Sequence, residues 1–136
     1  MAPIEGKYQY ERNENFEEFL MSIVGSEQIN DVKTFVKSKP VIEVRGSGDE
    51  WTIDVVNDGK PFTSTFKLGE PYTESMLYGA KLKSITKMVG DKMMTETYMP
   101  DGTITTRNFE FTDTHLIVNL SHSKQSTKAR RFYKRL

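Results

Sequence analysis

The chain has 136 residues, 36% hydrophobic and 28% charged, a size that predicts one domain spanning 1–136. No apolar run approaches the roughly 18–20 residues of a transmembrane helix, and the absence of cysteine excludes disulfides, thiolate catalysis and Cys-ligated metals. With 19 basic and 19 acidic residues the charge balances, which excludes bulk affinity for a polyanion.

The opening MAPIEGKYQY lacks a basic stretch followed by an apolar one. No secretory leader is read there, and a cytoplasmic address is expected. A first strand is followed by a helical insert over about 15–37. Phe16, Phe19, Leu20 and Ile23 stand at i, i+3, i+4 and i+7, one stripe of an α-helix. Asn15 precedes the stripe as an N-cap, with Glu18 as its capping-box partner, and Gly25 ends it. A second short helix is expected from about Gln28, with Ile29, Val32 and Val36 on one face and Pro40 beyond its end.

From residue 40 onward the pattern changes to that of strands. Thr, Val and Ile number 31 in the whole chain, a β-branched load suited to sheets. Turn signals at Gly46–Asp49, Asn57–Gly59, Gly69–Pro71, Gly90–Asp91, Pro100–Gly102 and Thr112–Asp113 cut the rest into short pieces. Several of these alternate. In Trp51–Val55 the apolar residues take odd positions, and in Lys81–Lys87 the lysines share one face, which must be outside. Two short helices cannot cover both faces of such a sheet. The fold expected is therefore all-β, a ten-stranded antiparallel up-and-down barrel capped at one end by a helix-turn-helix lid. A barrel of that width need not be filled by its own side chains, so an interior cavity is expected.

The inner faces carry more polarity than a dry core accepts. If Phe109 and Phe111 point inward, Arg107 does too. On the last strand Arg131 shares a face with Tyr133, and Arg130 shares the other with Phe132 and Lys134, so either choice buries a cation. Burying a guanidinium is costly unless water or an anion meets it. Arginine is also the side chain suited to gripping a carboxylate.

Other chemistry finds no support. Lys124, Lys128, Arg130, Arg131, Lys134 and Arg135 crowd the end of the chain, where no acid follows Asp113. They read as a strand whose outward positions carry solvated Lys and Arg, without a nucleic-acid-binding motif. His115 and His122 are too far apart along one strand to share a metal. Glu43, Glu50, Glu96 and Glu110 form no acid–base pair. The chain is not expected to be an enzyme or to need a cofactor.

The stretch Gly6-Lys7-Tyr8, then Asn15-Phe16-Glu17 with Phe19-Leu20 and Ile23, resembles the signature of the intracellular lipid-binding proteins, the fatty-acid-binding and cellular retinoid-binding family. Lys39-Pro40, Phe66-Lys67-Leu68-Gly69-Glu70, Lys83-Ser84-Ile85 and Arg131-Phe132-Tyr133 fall in the family's order, so the resemblance covers essentially the whole chain. The ending Ala129–Tyr133 is most similar to invertebrate fatty-acid-binding members.

The resemblance implies a monomeric carrier of long-chain fatty acids, with the ligand carboxylate held by Arg131 and Tyr133. Arg107 is a candidate second cation, since the family's usual second arginine position is occupied here by Phe109. The implied tail lining is Trp51, Ile53, Val55, Phe66, Tyr72, Phe109, Val118 and Leu120. Phe16, Phe19, Leu20, Met21 and Met76 are assigned to the lid and portal. Lys33 and Lys37 are candidates for transient contact with an anionic membrane surface. The alternative ligand is another apolar molecule such as a retinoid or carotenoid. Three positions depart from the family pattern: Gly59 stands where a portal aromatic is common, with Phe62 nearby; Tyr78 stands where an acid is common; and Tyr10 replaces an aliphatic residue.

Overall fold

The computed structural model describes residues 4–23, 33, 37–57, 59–75, 81–124 and 126–136. Ten strands follow one another: β1 (Gly6–Glu14), β2 (Val41–Ser47), β3 (Glu50–Asn57), β4 (Lys60–Lys67), β5 (Tyr72–Ser75), β6 (Lys81–Val89), β7 (Lys92–Tyr98), β8 (Ile104–Phe111), β9 (His115–His122) and β10 (Ala129–Arg135). They form one antiparallel sheet in the order β4-β3-β2-β1-β10-β9-β8-β7-β6-β5. Pairing of β1 with β10 joins the two ends of the chain. The sheet curls into a nearly closed barrel whose hydrogen-bonded order ends at β4 and β5. The Phe66 and Tyr72 rings stack across that seam, with centroids 4.8 Å apart.

Helix α1 (Phe16–Ile23) lies between β1 and β2. Glu17 and Glu18 occupy its first turn, where the helix dipole favours negative charge. Asn15 lies at φ 55°, a conformation asparagine tolerates better than most residues, and its carbonyl accepts the first helical N–H, from Phe19 at 2.9 Å. No reciprocal bond between Asn15 and Glu18 occurs among the described residues; Glu18 is exposed, and the expected capping box is not formed. The helix starts instead on backbone geometry. The expected second helix, Met76 and the turn through Tyr78 and Gly79 fall outside the described residues, apart from the exposed Lys33 and Lys37.

Alternation sorts most strand residues into inner and outer sets. Ile42 and Val44, then Ser84 and Thr86, then Met93, Thr95 and Thr97, then Leu116, Val118 and Leu120 are buried, while Lys81, Lys83 and Lys87 are exposed. Gly46 is required where β2 meets β3. A Cβ there would come within 2.4 Å of the Glu50 carbonyl oxygen and 2.8 Å of Trp51.

β1 is the exception to simple alternation. Its register with β10 shifts between Tyr10, opposite Tyr133, and Arg12, opposite Phe132. The extra residue is Glu11, a β-bulge. Before it, Tyr8 and Tyr10 lie with the inner aromatic residues Phe111 and Tyr133. After it, Asn13 pairs with inward Arg131 and Arg12 lies on the outer face. Phe132, which alternation places outside, is thereby covered: the Arg12 guanidinium sits 3.7 Å from its ring centroid, and Glu14 holds Arg130 at 2.9 Å and Arg12 at 3.5 Å. Phe132 is left only 9% exposed.

Candidate functional site

The last strand sends Arg131 and Tyr133 into the barrel. Arg131 is 6% exposed and its Nε donates to Asn13 Oδ1 at 3.0 Å, a bond that depends on the β1 bulge. Its guanidinium carbon lies 4.2 Å from the Phe16 ring centroid, 5.2 Å from Tyr10 and 5.5 Å from Tyr133. Ring faces carry negative electrostatic potential and stabilise such a cation. Tyr10 therefore joins the site as a ring beside Arg131 in a T-shaped pair with Tyr133, 6.1 Å between centroids. Burial raises the Tyr133 pKa, against the opposing pull of Arg131. The phenol remains a hydrogen-bond donor at neutral pH.

Arg107, on the inner face of β8, has a different partner. Its guanidinium grips Glu74 of β5 with two nitrogens, one of them at 2.9 Å, and Nη2 also donates to Thr97 Oγ1 at 3.0 Å. The two side chains keep only 20% and 13% of their exposure. Burial works to raise the Glu74 pKa, but the charge and hydrogen bonds of Arg107, with the Ser84 hydroxyl, outweigh it and hold the carboxyl below its ordinary value. Burial likewise works against charge on Arg107, and Glu74 overcomes it, so its pKa is raised. The sequence reading allowed Arg107 as a second cation for a ligand. A ligand carboxylate there has to compete with Glu74 at bidentate range.

Around this pair the wall from β5 to β8 is lined by hydroxyls. Tyr72 bonds Thr86 at 2.8 Å, Thr86 bonds Thr95 at 2.7 Å, and Ser84 bridges Glu74 and Thr97 at 2.8 Å each. The sequence reading assigned Tyr72 to the tail lining and gave no role to Glu74, Ser84, Thr86, Thr95 or Thr97. The signal was present for Glu74, because Tyr72 and Glu74 are two apart on a strand and must share a face. The rest of the lining is apolar. On β3 Trp51 pairs with Phe66, with Ile53 and Val55 following on the same face, and Phe109, Val118 and Leu120 are buried on β8 and β9. Ile53, Val55 and Tyr72 pack on the core but keep partial exposure although they point inward, as residues bordering an interior space do.

One end of the barrel is covered by α1. Phe16 and Phe19 are buried, Leu20 packs on the core, and Met21 is half-buried. At the same end, near the turn at Gly59, Phe62 opposes Val55 across the β3–β4 ladder and is 45% exposed. His115 lies on the outer face against Glu11 at 3.2 Å, and among the described residues no group of metal-binding side chains assembles. No helix among them is long and apolar enough to cross a membrane.

A strand–helix–nine-strand antiparallel barrel is a specific arrangement, and comparison with known proteins identifies its family. The model of the lipocalin / cytosolic fatty-acid binding protein family matches residues 1–129. The chain belongs to this family. A fatty acid-binding protein of Tyrophagus putrescentiae is 30% identical over 99% of both chains. The solved fatty acid-binding protein in brain tissue of Drosophila melanogaster is 32% identical, covering 94% of this chain and 95% of its own, with a TM-score of 0.79. The cellular retinoic acid-binding protein 2 of Mus musculus is 28% identical over 75% of each chain. The family is one of lipid-binding carriers, which hold their ligands without a cofactor and are not enzymes. Arg131 and Tyr133 lie just beyond the matched stretch, so their pairing is read from the geometry.

Proposed function

We propose that the whole chain, residues 1–136, is one carrier unit that binds a long-chain fatty acid inside the barrel. The carboxylate pairs with Arg131 and accepts a hydrogen bond from Tyr133. The observation that carries this reading is the inward, buried Arg131 set among Phe16, Tyr10 and Tyr133, two residues along the strand from the Tyr133 phenol, whose pKa burial raises further. The tail lies along the apolar wall of Trp51, Ile53, Val55, Phe66, Phe109, Val118 and Leu120, with Tyr72 at the seam. Each buried methylene contributes about 0.8 kcal/mol, so the tail supplies most of the affinity and the arginine selects the head group. Phe16, Phe19, Leu20 and Met21 close the lid end over the ligand, with Met76 on the portal side. Arg107 serves this site indirectly, as half of a neutral pair with Glu74.

In this reading the carrier acts as a cytoplasmic monomer and uses exposed Lys33 and Lys37 against anionic membrane during transfer. A second reading, a retinoid acid in the same site, is supported by the likeness to the retinoic acid-binding relative; a carotenoid lacks the acid that Arg131 would select. The test is displacement of a fluorescent fatty acid by oleate, oleyl alcohol and retinoic acid in parallel. Oleate displacing at micromolar concentration or below, with the alcohol clearly weaker, is the expected result. Equal competition by acid and alcohol contradicts the anchor, and displacement by retinoic acid alone replaces the fatty acid with the retinoid.

A further inference from the structure

The polar half of the barrel wall is better supplied with hydrogen-bonding groups than an unadorned hydrocarbon tail can use. Six inner-facing hydroxyl residues, Ser84, Thr86, Thr95, Thr97, Thr103 and Thr105, are all buried. Five of them have partners: Tyr72, Glu74 and one another for the first four, and Asp101 at 2.6 Å for Thr103. Thr105 is the exception. It is 7% exposed, and its Oγ1 has no hydrogen-bond partner among the described residues. Two residues along the same inner face, the Arg107 Nε–H is also buried and without a partner among them. An orphaned buried hydroxyl or N–H is costly. Two side by side on one wall mark a place where a polar atom of something else belongs.

The chemistry of the place narrows what that atom is. The charge of Arg107 is already balanced by Glu74, so a second carboxylate would bring an unbalanced charge into the interior. What remains is one N–H donor and one hydroxyl, which can donate or accept; together they suit a neutral oxygen. Beside Thr105 across the β8–β9 ladder stands His122, whose Nδ1 accepts the Lys124 N–H at 3.2 Å.

The position relative to Arg131 sets where on a ligand the oxygen must lie. Arg131 pairs with Val118, and Thr105 pairs with His122, four residues further along β9. The two are thus separated by roughly 13 Å along the strands and roughly 10 Å across two of them. That span reaches from a carboxylate to the middle or far part of a long chain, not to its α-carbon.

We infer that the inner wall at Thr105 and Arg107 is a second polar subsite, and that the ligand class it takes is a long-chain acid carrying a neutral oxygen, such as a hydroxyl, partway down its tail. The inference rests on the fatty-acid reading and sharpens it to oxygenated acids.

The test compares oleate with ricinoleate, which differs by one mid-chain hydroxyl, on the full chain and on Thr105→Val, a near-isosteric change that removes only the hydroxyl. The wild type is expected to bind ricinoleate more tightly than oleate by about fivefold. Thr105→Val should erase that advantage while leaving oleate within about twofold, and an α-hydroxy acid should show no advantage in either protein. Ricinoleate binding no better than oleate overturns the inference and leaves the fatty-acid reading intact. An equal loss of both ligands in Thr105→Val also overturns it, since the threonine would then be acting through general packing. Failure of either acid to bind the wild type overturns the fatty-acid reading and this one with it.

Discussion

Arg107 and Arg131 enter the same interior from strands two apart, and both are inward cations that a simple hydrophobic pattern cannot rank. Arg107 is gripped bidentately by Glu74 and braced by Thr97. Arg131 hydrogen-bonds an amide oxygen and lies against the rings of Phe16, Tyr10 and Tyr133. The contrast separates two uses of a buried guanidinium. A carboxylate at bidentate range makes the arginine part of the framework, tying β8 to β5 near the seam where the sheet's hydrogen bonding stops. Among the described residues Arg131 meets rings and an amide oxygen, and under the proposed function an incoming carboxylate is a stronger partner than either.

The comparison breaks most sharply on stability. Truncating Glu74 to Ala leaves Arg107 buried without its carboxylate and should cost about 3–5 kcal/mol in urea unfolding. Replacing both members with Met should recover most of that loss, because the desolvation cost disappears with the charges. A Glu74→Ala protein as stable as the wild type would show that the pair contributes nothing to the framework.

On binding, the order reverses. Arg131→Gln should weaken oleate by about 2 kcal/mol, about thirtyfold, while the Glu74/Arg107 double Met variant should lose far less. Titration calorimetry on the two proteins measures this directly.

Acid provides a third handle. The pKa of Glu74 is depressed in the folded barrel, so its stabilising contribution is complete above the ordinary carboxyl value near 4.5 and is lost as pH falls from there through the depressed value. Unfolding free energy measured against pH should therefore fall less steeply below about 4.5 in the double Met variant than in the wild type. Identical slopes would remove Glu74 from the acid response.

The smallest expected effect belongs to Tyr133→Phe, which deletes one hydroxyl beside Arg131. About 1 kcal/mol of oleate affinity should go, with little change in the affinity of oleyl alcohol.

Much of this was legible in the chain, and the remainder was hidden for identifiable reasons. Turn residues at short intervals and the odd-position apolar residues of Trp51–Val55 were enough to read strands, and the i, i+3, i+4, i+7 stripe was enough for α1. Closure of the sheet followed from the impossibility of covering so many strands with so little helix. The fate of Phe132 was not legible, because its cover, Arg12, reaches the outer face only through the bulge at Glu11, and a bulge leaves no periodic trace. Asn13 was missed for the same reason. The start of α1 misled in detail: the Asn15 and Glu18 spacing matches a capping box, yet Asn15 adopts φ 55° and only its carbonyl meets the helix. Glu74 was within reach from its spacing to Tyr72, but its partner lies 33 residues away on a strand that neighbours β5 only through the barrel interior. Long-range charge pairing of that kind is decided by closure, not by local pattern.

The most direct test of the account is acid-over-alcohol selectivity, the ratio of oleate to oleyl alcohol affinity, measured on the wild type, on Arg131→Gln and on the Glu74/Arg107 double Met variant. The account predicts that selectivity collapses in Arg131→Gln and persists in the double variant. Selectivity that survives in Arg131→Gln and collapses in the double variant would make Arg107 the anchor and contradict it.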